Sequence, residues 1–484
     1  QQSLDPLSRW ALTYLQTSSD QSLSGIMNAA LDRQYSASPT ERFWTGGGLH
    51  TFANFNRADN RKSFTVREAF HHSVNLVFIR LMRDLVQYHT LAIPGSTAMV
   101  LKDPLNPIRR QYLQKFAQQE GRIFLYRFYD KYKDLTPEEA WHLIISQTRL
   151  TPLRLGVLLR SIEPEKDVQA IITSLRQTFP NSKVSAEQAK RLFTQTDPRV
   201  LSLADRGYLA RIHPLELWTV AFLRQHPNTS KSELAKAGEQ ELVEVYAWLF
   251  KTHRKAAQDS RIRLILEQEA FMEIHKAWKR VGYPFASLVP SLATAIGSSA
   301  DRPAALTELM GILVNEGRKN PTVTIRQLHF AEGTPFETLV AHHEPAQDQV
   351  LNPLVAQILR QELVEVVEHG TAIGAKGALA PTEGTTISIG GKTGTGDHRQ
   401  KVYDRGFRLI QSRPIARTAT FVFLIDNRFF GTITAQVSGP QSGDFRFTSS
   451  LPVHIFRLFA PHLHAYVMPH SLKAEIAQPL QPRS

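Results

Sequence analysis

The chain contains no cysteine among its 484 residues. This absence excludes disulfide bonds, a thiolate nucleophile and cysteine-ligated zinc. Long hydrophobic runs are absent as well, since no apolar stretch approaches the roughly 20 residues that cross a bilayer. Residues 1–15 lack the basic-then-apolar pattern of a secretory signal. We therefore expect a soluble stretch of chain, with any membrane anchor or export signal outside it.

Acidic residues are fewer than basic ones, 44 against 57, which gives a formal net charge of +13. Such an excess favours a polyanionic neighbour, which nucleic acid, an anionic membrane face or an acidic wall polymer would each provide. Residues 230–238 resemble the turn region of a helix-turn-helix, but a solvated helical face explains them more simply. We expect no nucleic acid among the partners.

The 18 histidines include adjacent pairs, but none has the i, i+4 spacing with a glutamate that is typical of helical zinc sites. Surface or half-buried histidines explain this pattern. We expect neither a metal nor a cofactor.

The chain changes character along its length. Its middle part, from about residue 84 to 270, is rich in helix formers with 3.6-residue periodicity. The later part contains two β-branched and aromatic runs, Arg417–Ile425 and Phe429–Val437, across a short polar turn, which predicts an antiparallel hairpin. An amphipathic helix is predicted at about Ser449–Ala460. The order of these elements predicts an α+β fold.

The strongest motif is Gly-Gly-Lys-Thr-Gly-Thr-Gly at residues 390–396, which we expect at the end of a strand and the start of a polar loop. There Lys392 would present a fixed positive charge, and neighbouring threonine hydroxyls could bind a substrate carboxylate. Glycine at position 394 would leave room for a substrate backbone along the strand edge. A phosphate-binding loop would require glycine where Thr386 stands, so that alternative fails.

A second motif, Ser73-Val74-Asn75, follows a capping box at residues 65–68. The helix that begins there should deliver Ser73 and Asn75 near its C-terminal end. Taken alone, the motif is better explained by a polar helix face that ends in a capping asparagine.

Together the two motifs resemble the site of serine transpeptidases and β-lactamases, in which a Lys-Thr-Gly strand and a Ser-x-Asn loop accompany a Ser-x-x-Lys helix. The resemblance is to the transpeptidase domain of bifunctional (class A-like) penicillin-binding proteins, over roughly residues 40–90 and 270–460. It is carried by segments in the family's order: residues 47–75, residues 288–299 before a helix starting near Pro303, residues 366–372, and residues 390–396.

The resemblance implies a penicillin-binding/serine β-lactamase-like domain, with an antiparallel sheet flanked by helices and interrupted by a mainly α-helical insertion. We expect residues 1–90 to form its first part and 91–270 the insertion. Residues 271–465 would complete it, and 466–484 would be a tail. It also implies an extracytoplasmic or periplasmic location, with the full-length protein anchored to the inner membrane by a segment outside this chain. The insertion could dock a wall-assembly partner.

By the same resemblance, the substrates are peptidoglycan stem peptides ending in D-Ala-D-Ala, which β-lactams imitate. Ser73 would relay a proton to the departing amine with help from Lys392, and Asn75 would hold the donor peptide amide. Thr393 and Thr395 would bind the terminal carboxylate, beside Gly394, and the backbone N–H of Thr395 would be one oxyanion donor.

The chain departs from the family at the nucleophile, because no serine has a lysine three positions later. Ser96 follows Pro94-Gly95, which resembles the nucleophile's context, but position 99 is methionine. A fragment that begins after the nucleophile helix and a degenerate, non-catalytic homologue both explain this departure. In either case we expect the chain alone to be inactive.

Overall fold

The structure, a computed structural model, describes residues 5–92, 100–101, 103–180, 185–251, 254–341, 347–379, 387–403 and 409–467. Ser96 and most of the expected tail lie outside these residues. The chain forms two compact units: Gln1–Ile93 together with Glu267–Ser484, and Pro94–Leu266. Within the described residues, no helix has the length and apolar character that a membrane crossing requires.

The first unit combines helices with small antiparallel sheets. Its elements before the second unit are α1 Pro6–Thr17, α2 Leu23–Leu31, β1 Gln34–Ser36, β2 Phe43–Thr45, β3 Gly48–His50, β4 Ser63–Thr65, α3 Val66–His72 and α4 Asn75–Ala92. Those after it are α15 Pro303–Val314, β5 Arg318–Lys319, β6 Gln327–Phe330, β7 Thr338–Ala341, β8 Asp348–Gln349, α16 Pro353–Glu368, β9 Ile389–Tyr403, β10 Leu409–Ile425, β11 Phe429–Ser438 and α17 Ser450–Val467. Helix α15 begins at Pro303, as predicted.

The main sheet has the antiparallel order β11-β10-β9, so β9 is an edge strand among the described residues. The predicted hairpin is confirmed: β10 and β11 pair from Ala416↔Ser438 to Ile425↔Phe429. Alternate side chains of β10 point into a core formed with α16 and α17, where Phe421 and Phe456 are fully buried. With its sheet flanked by helices, this unit confirms the predicted α+β class.

In the described part of the second unit, the secondary structure consists of helices joined by loops. Its helices are α5 Pro107–Tyr132, α6 Pro137–Ser146, α7 Pro152–Ile162, α8 Val168–Thr178, α9 Ala186–Gln195, α10 Leu203–Ala210, α11 Pro214–Gln225, α12 Lys231–Ala237 and α13 Glu239–Tyr246, and α14 Lys255–Arg280 has residues in both units. The unit's buried ion pairs include that of Arg109 with Asp259, at 2.7 Å. Residues 231–237 form helix α12 rather than part of a turn.

Candidate active site

Helix α3 is short and defined at both ends. At its start the hydroxyl of Thr65 accepts from the backbone N–H of Glu68 at 3.1 Å, and the Glu68 carboxylate accepts from the Thr65 N–H at 2.8 Å. It ends at His72, because Ser73 adopts the left-handed conformation, with φ 55° and ψ 47°. Only glycine takes this conformation without strain, which is about 1–2 kcal/mol for other residues. The serine is therefore held in a tight turn.

The sequence predicted Asn75 near the C-terminal end of the helix that begins at Val66; α3 ends at His72, and Asn75 is the first residue of α4. Its side-chain nitrogen donates to the carbonyl oxygen of Ala53 at 3.1 Å. The neighbouring Asn54 is buried and accepts from the backbone N–H of Leu76 at 3.0 Å. The correction has a simple cause: the left-handed turn at Ser73 breaks the helix, and a new one begins two residues later.

The Lys-Thr-Gly motif lies within β9, not at the strand's end, since β9 continues to Tyr403. Lys392 pairs with Val422, and Thr393 pairs with Phe421 on β10. A Cβ at position 391 would lie 2.4 Å from the Phe421 ring, so only glycine fits there. At Gly394 a Cβ would meet no heavy atom within 4 Å. The strand is therefore tightly packed at Gly391 and open at Gly394.

Lys392 and Ser73, 319 positions apart in the sequence, form a hydrogen bond in which Nζ donates to the serine Oγ. Nζ also donates to the carbonyl oxygen of Thr393 at 3.2 Å and lies 5.7 Å from the centre of the Phe70 ring. Burial lowers the pKa of Lys392 to about 8, because removal of water disfavours the charged ammonium. Strand and turn thus place a hydroxyl against a lysine with a depressed pKa.

The two threonines of the motif differ in their surroundings. Thr393 is 9% exposed, and its hydroxyl lies 2.6 Å from the hydroxyl of Thr371. Thr395 is exposed, and its hydroxyl accepts from the backbone N–H of Ser449 at 2.9 Å. Of the two hydroxyls predicted to bind a carboxylate, Thr395 is the one accessible to a ligand.

Two residues without a predicted role connect these elements. The carboxylate of Glu362, on α16, accepts from Arg67 Nη1 and is bonded to His71 Nε2 at 2.7 Å. After α16, the backbone N–H of Thr371 donates to the carbonyl oxygen of His71 at 3.1 Å. Helix α16 carries three glutamates, Glu362, Glu365 and Glu368, and nothing in the sequence distinguishes Glu362 as the buried one.

The described residues contain no group of three or more His, Asp or Glu side chains arranged to hold a metal ion. The functional groups of the site are the hydroxyl of Ser73, the ammonium of Lys392, the amide of Asn75 and the hydroxyl of Thr395. Together these can bind a carboxylate and transfer a proton.

No protein-family model matches the chain. No curated protein matches it either. Among solved structures, the chain is similar to penicillin-binding protein 3 from Mycobacterium tuberculosis complexed with aztreonam, at 20% identity over 46% of this chain and 50% of that chain, with a TM-score of 0.29. It is also similar to the D,D-transpeptidase domain of a peptidoglycan glycosyltransferase from Eggerthella lenta, at 12% identity over 95% of this chain and 72% of that chain, with a TM-score of 0.35.

A third similarity is to the ceftriaxone acyl-enzyme of penicillin-binding protein A from M. tuberculosis, at 16% identity over 41% of this chain and 48% of that chain, with a TM-score of 0.27. The match spans about half the length of each M. tuberculosis protein. Similarity at this level does not identify a family.

Proposed function

We propose that this chain supplies the Ser-x-Asn and Lys-Thr-Gly parts of the acyl-transfer site of a penicillin-binding D,D-transpeptidase. The substrates would be peptidoglycan stem peptides that end in D-Ala-D-Ala, and β-lactams would occupy the same site. The observation that carries the proposal is the hydrogen bond from Lys392 to Ser73, between two motifs that the family resemblance had paired.

Proton transfer is the task that this pair can perform. A lysine with a pKa of about 8 changes its protonation state close to neutral pH, which suits a group that exchanges protons during a reaction. Ser73 would pass a proton from Lys392 to the departing D-alanine amine as the peptide bond breaks. Asn75 would hold the donor peptide by its amide.

Substrate binding would use the open edge of β9. A peptide could lie along this edge beside Gly394, where even an added Cβ would meet no heavy atom within 4 Å. Its terminal carboxylate would be held by the Thr395 hydroxyl and the positive charge of Lys392. Thr393 would help to fix the position of the strand through its hydrogen bond to Thr371. The backbone N–H of Thr395 would stabilise the oxyanion, and such a donor is typically worth about 2.7–4 kcal/mol.

The attacking serine is not in this sequence, which contains no Ser-x-x-Lys. We propose that the intact enzyme is of the bifunctional (class A-like) kind, acts in the periplasm and obtains this motif from a segment outside the present sequence. The helical unit Pro94–Leu266 would then be an insertion that docks a wall-assembly partner.

Fluorescent penicillin labelling tests the proposal. For this chain alone we expect no covalent adduct, and for the intact protein we expect labelling that Ser73→Ala or Lys392→Ala abolishes. Lys376→Ala is the matched control, because Lys376 is an exposed lysine of the same unit, paired with Glu368 at 2.7 Å. A stable adduct on a serine of this chain would overturn the assignment of the missing nucleophile. A folded intact protein that is never labelled would be a non-catalytic homologue.

A further inference from the structure

Helix α3, which ends just before Ser73, is held by a carboxylate that the proposed reaction does not use. Glu362 is 3% exposed, and it binds two side chains of α3, Arg67 and His71. Arg67 also donates to Asp32 Oδ1 at 3.1 Å, so the guanidinium bridges α3 to the end of α2 as well. A buried carboxylate with two such donors fixes the position and rotation of the helix to which they belong.

The segment that follows α16 reaches both halves of the proposed site. The Thr371 N–H donates to the carbonyl oxygen of His71, two residues before Ser73, and the Thr371 hydroxyl bonds to that of Thr393. Gly370 allows this approach, since a Cβ there would lie 2.4 Å from the same carbonyl oxygen. Residues 353–371 therefore connect the serine turn to the lysine strand.

We propose that Glu362 is a positioning residue, which holds the end of α3 so that Ser73 stays against Lys392. The catalytic meaning of this role rests on the proposed function, but the geometric role does not. Loss of the Glu362 charge would release Arg67 and His71, allow the serine turn to move and admit water to Lys392. Because burial is what depresses the pKa of Lys392, that pKa reports the position of the turn.

The test is a titration of Lys392 in this chain between about pH 7 and 11, by competitive acylation of lysines and mass spectrometry of the peptide that carries it. Burial lowers the pKa of His71 from its usual 6.5, so His71 is neutral throughout this range. For Glu362→Gln, we expect the midpoint of Lys392 to rise from about 8 toward the ordinary lysine value of about 10.4. The reactive fraction at pH 8 would fall about 100-fold for the full shift.

The direction in which the pKa of Lys392 shifts distinguishes a positioning role of Glu362 from a direct electrostatic effect of its charge. Removal of a negative charge at fixed geometry would lower the pKa of a nearby lysine, whereas loss of position raises it. Glu368→Gln is the control, because Glu368 is on the same helix but pairs with Lys376. In this variant we expect the titration midpoint of Lys392 to stay near 8. A folded Glu362→Gln variant with an unchanged or lowered midpoint would overturn the proposal.

A second pair of variants serves if Glu362→Gln fails to fold. His71→Gln keeps a side-chain N–H donor for Glu362, and we expect it to preserve the midpoint, while His71→Ala should raise it. Equal midpoints in these two folded variants would contradict the proposal. Penicillin labelling of the intact protein is independent of this titration, so failure of either leaves the other standing.

Discussion

Two glycines of the Lys-Thr-Gly strand have opposite surroundings, and alanine at each of them tests how the strand is packed. At Gly391 an added Cβ would lie 2.4 Å from the ring of Phe421 and 2.6 Å from the carbonyl oxygen of Val422. Phe421 is fully buried and the carbonyl belongs to the neighbouring strand, so neither can yield easily. Overpacking of this kind typically costs about 1–3 kcal/mol, and we expect Gly391→Ala to lower the free energy of unfolding by that amount.

Gly394→Ala is the matched comparison, three positions along the same strand. Its Cβ would meet no heavy atom within 4 Å, so we expect a change within about 0.5 kcal/mol. Scanning calorimetry would measure both variants, and the Gly391 variant alone should lower the unfolding temperature of the unit that contains the sheet. Similar losses of stability for the two alanine variants would refute the close packing of β9 against Phe421 at Gly391.

Three further predictions concern other parts of the chain. Burial raises the pKa of Glu267 to about 7, so the folded state holds its proton more tightly than the unfolded state does. The free energy of unfolding should therefore fall by roughly 3 kcal/mol at most as pH rises from about 4.5 to 7, and denaturant melts of Glu267→Gln should lack this pH dependence. Thr395→Val removes the acceptor for the Ser449 N–H, so we expect about 1 kcal/mol of lost stability by urea unfolding and weaker β-lactam binding in the intact protein. Glu216→Ala leaves Lys131 without its partner at 2.6 Å, and calorimetry should show about 2–4 kcal/mol of destabilisation in the helical unit, with the Lys392 midpoint unchanged.

Local patterns in the sequence predicted what depends on local interactions. The capping box at Thr65 places the start of α3 correctly, because both of its hydrogen bonds join residues three positions apart. The β10–β11 hairpin follows from two β-branched runs around a tight turn, in which Asp426 takes a φ of 49°. The contact between Ser73 and Lys392 needed one further assumption, that the two motifs belong to one site.

The missed features depend on distant partners. The burial of Glu362 requires Arg67 and His71, nearly 300 positions earlier in the chain, and a glutamate on an amphipathic helix gives no sign of such partners. The left-handed turn at Ser73 was missed for a similar reason, since serine rarely adopts this conformation unless the surrounding structure enforces it. The hydroxyl of Thr393 is directed toward Thr371 by strand pairing and helix packing together.

The contact between Ser73 and Lys392 brings together two features that each lower stability. A left-handed serine costs about 1–2 kcal/mol compared with a relaxed turn, and glycine at that position would avoid the strain. Burial lowers the pKa of Lys392 from 10.5 to about 8. Keeping this lysine charged therefore destabilises the folded state by roughly 3 kcal/mol. A turn with only a structural role would need neither feature, whereas proton transfer needs a hydroxyl held in place and a lysine that releases its proton near neutral pH. Both features occur at one hydrogen bond, as the proposed proton transfer requires.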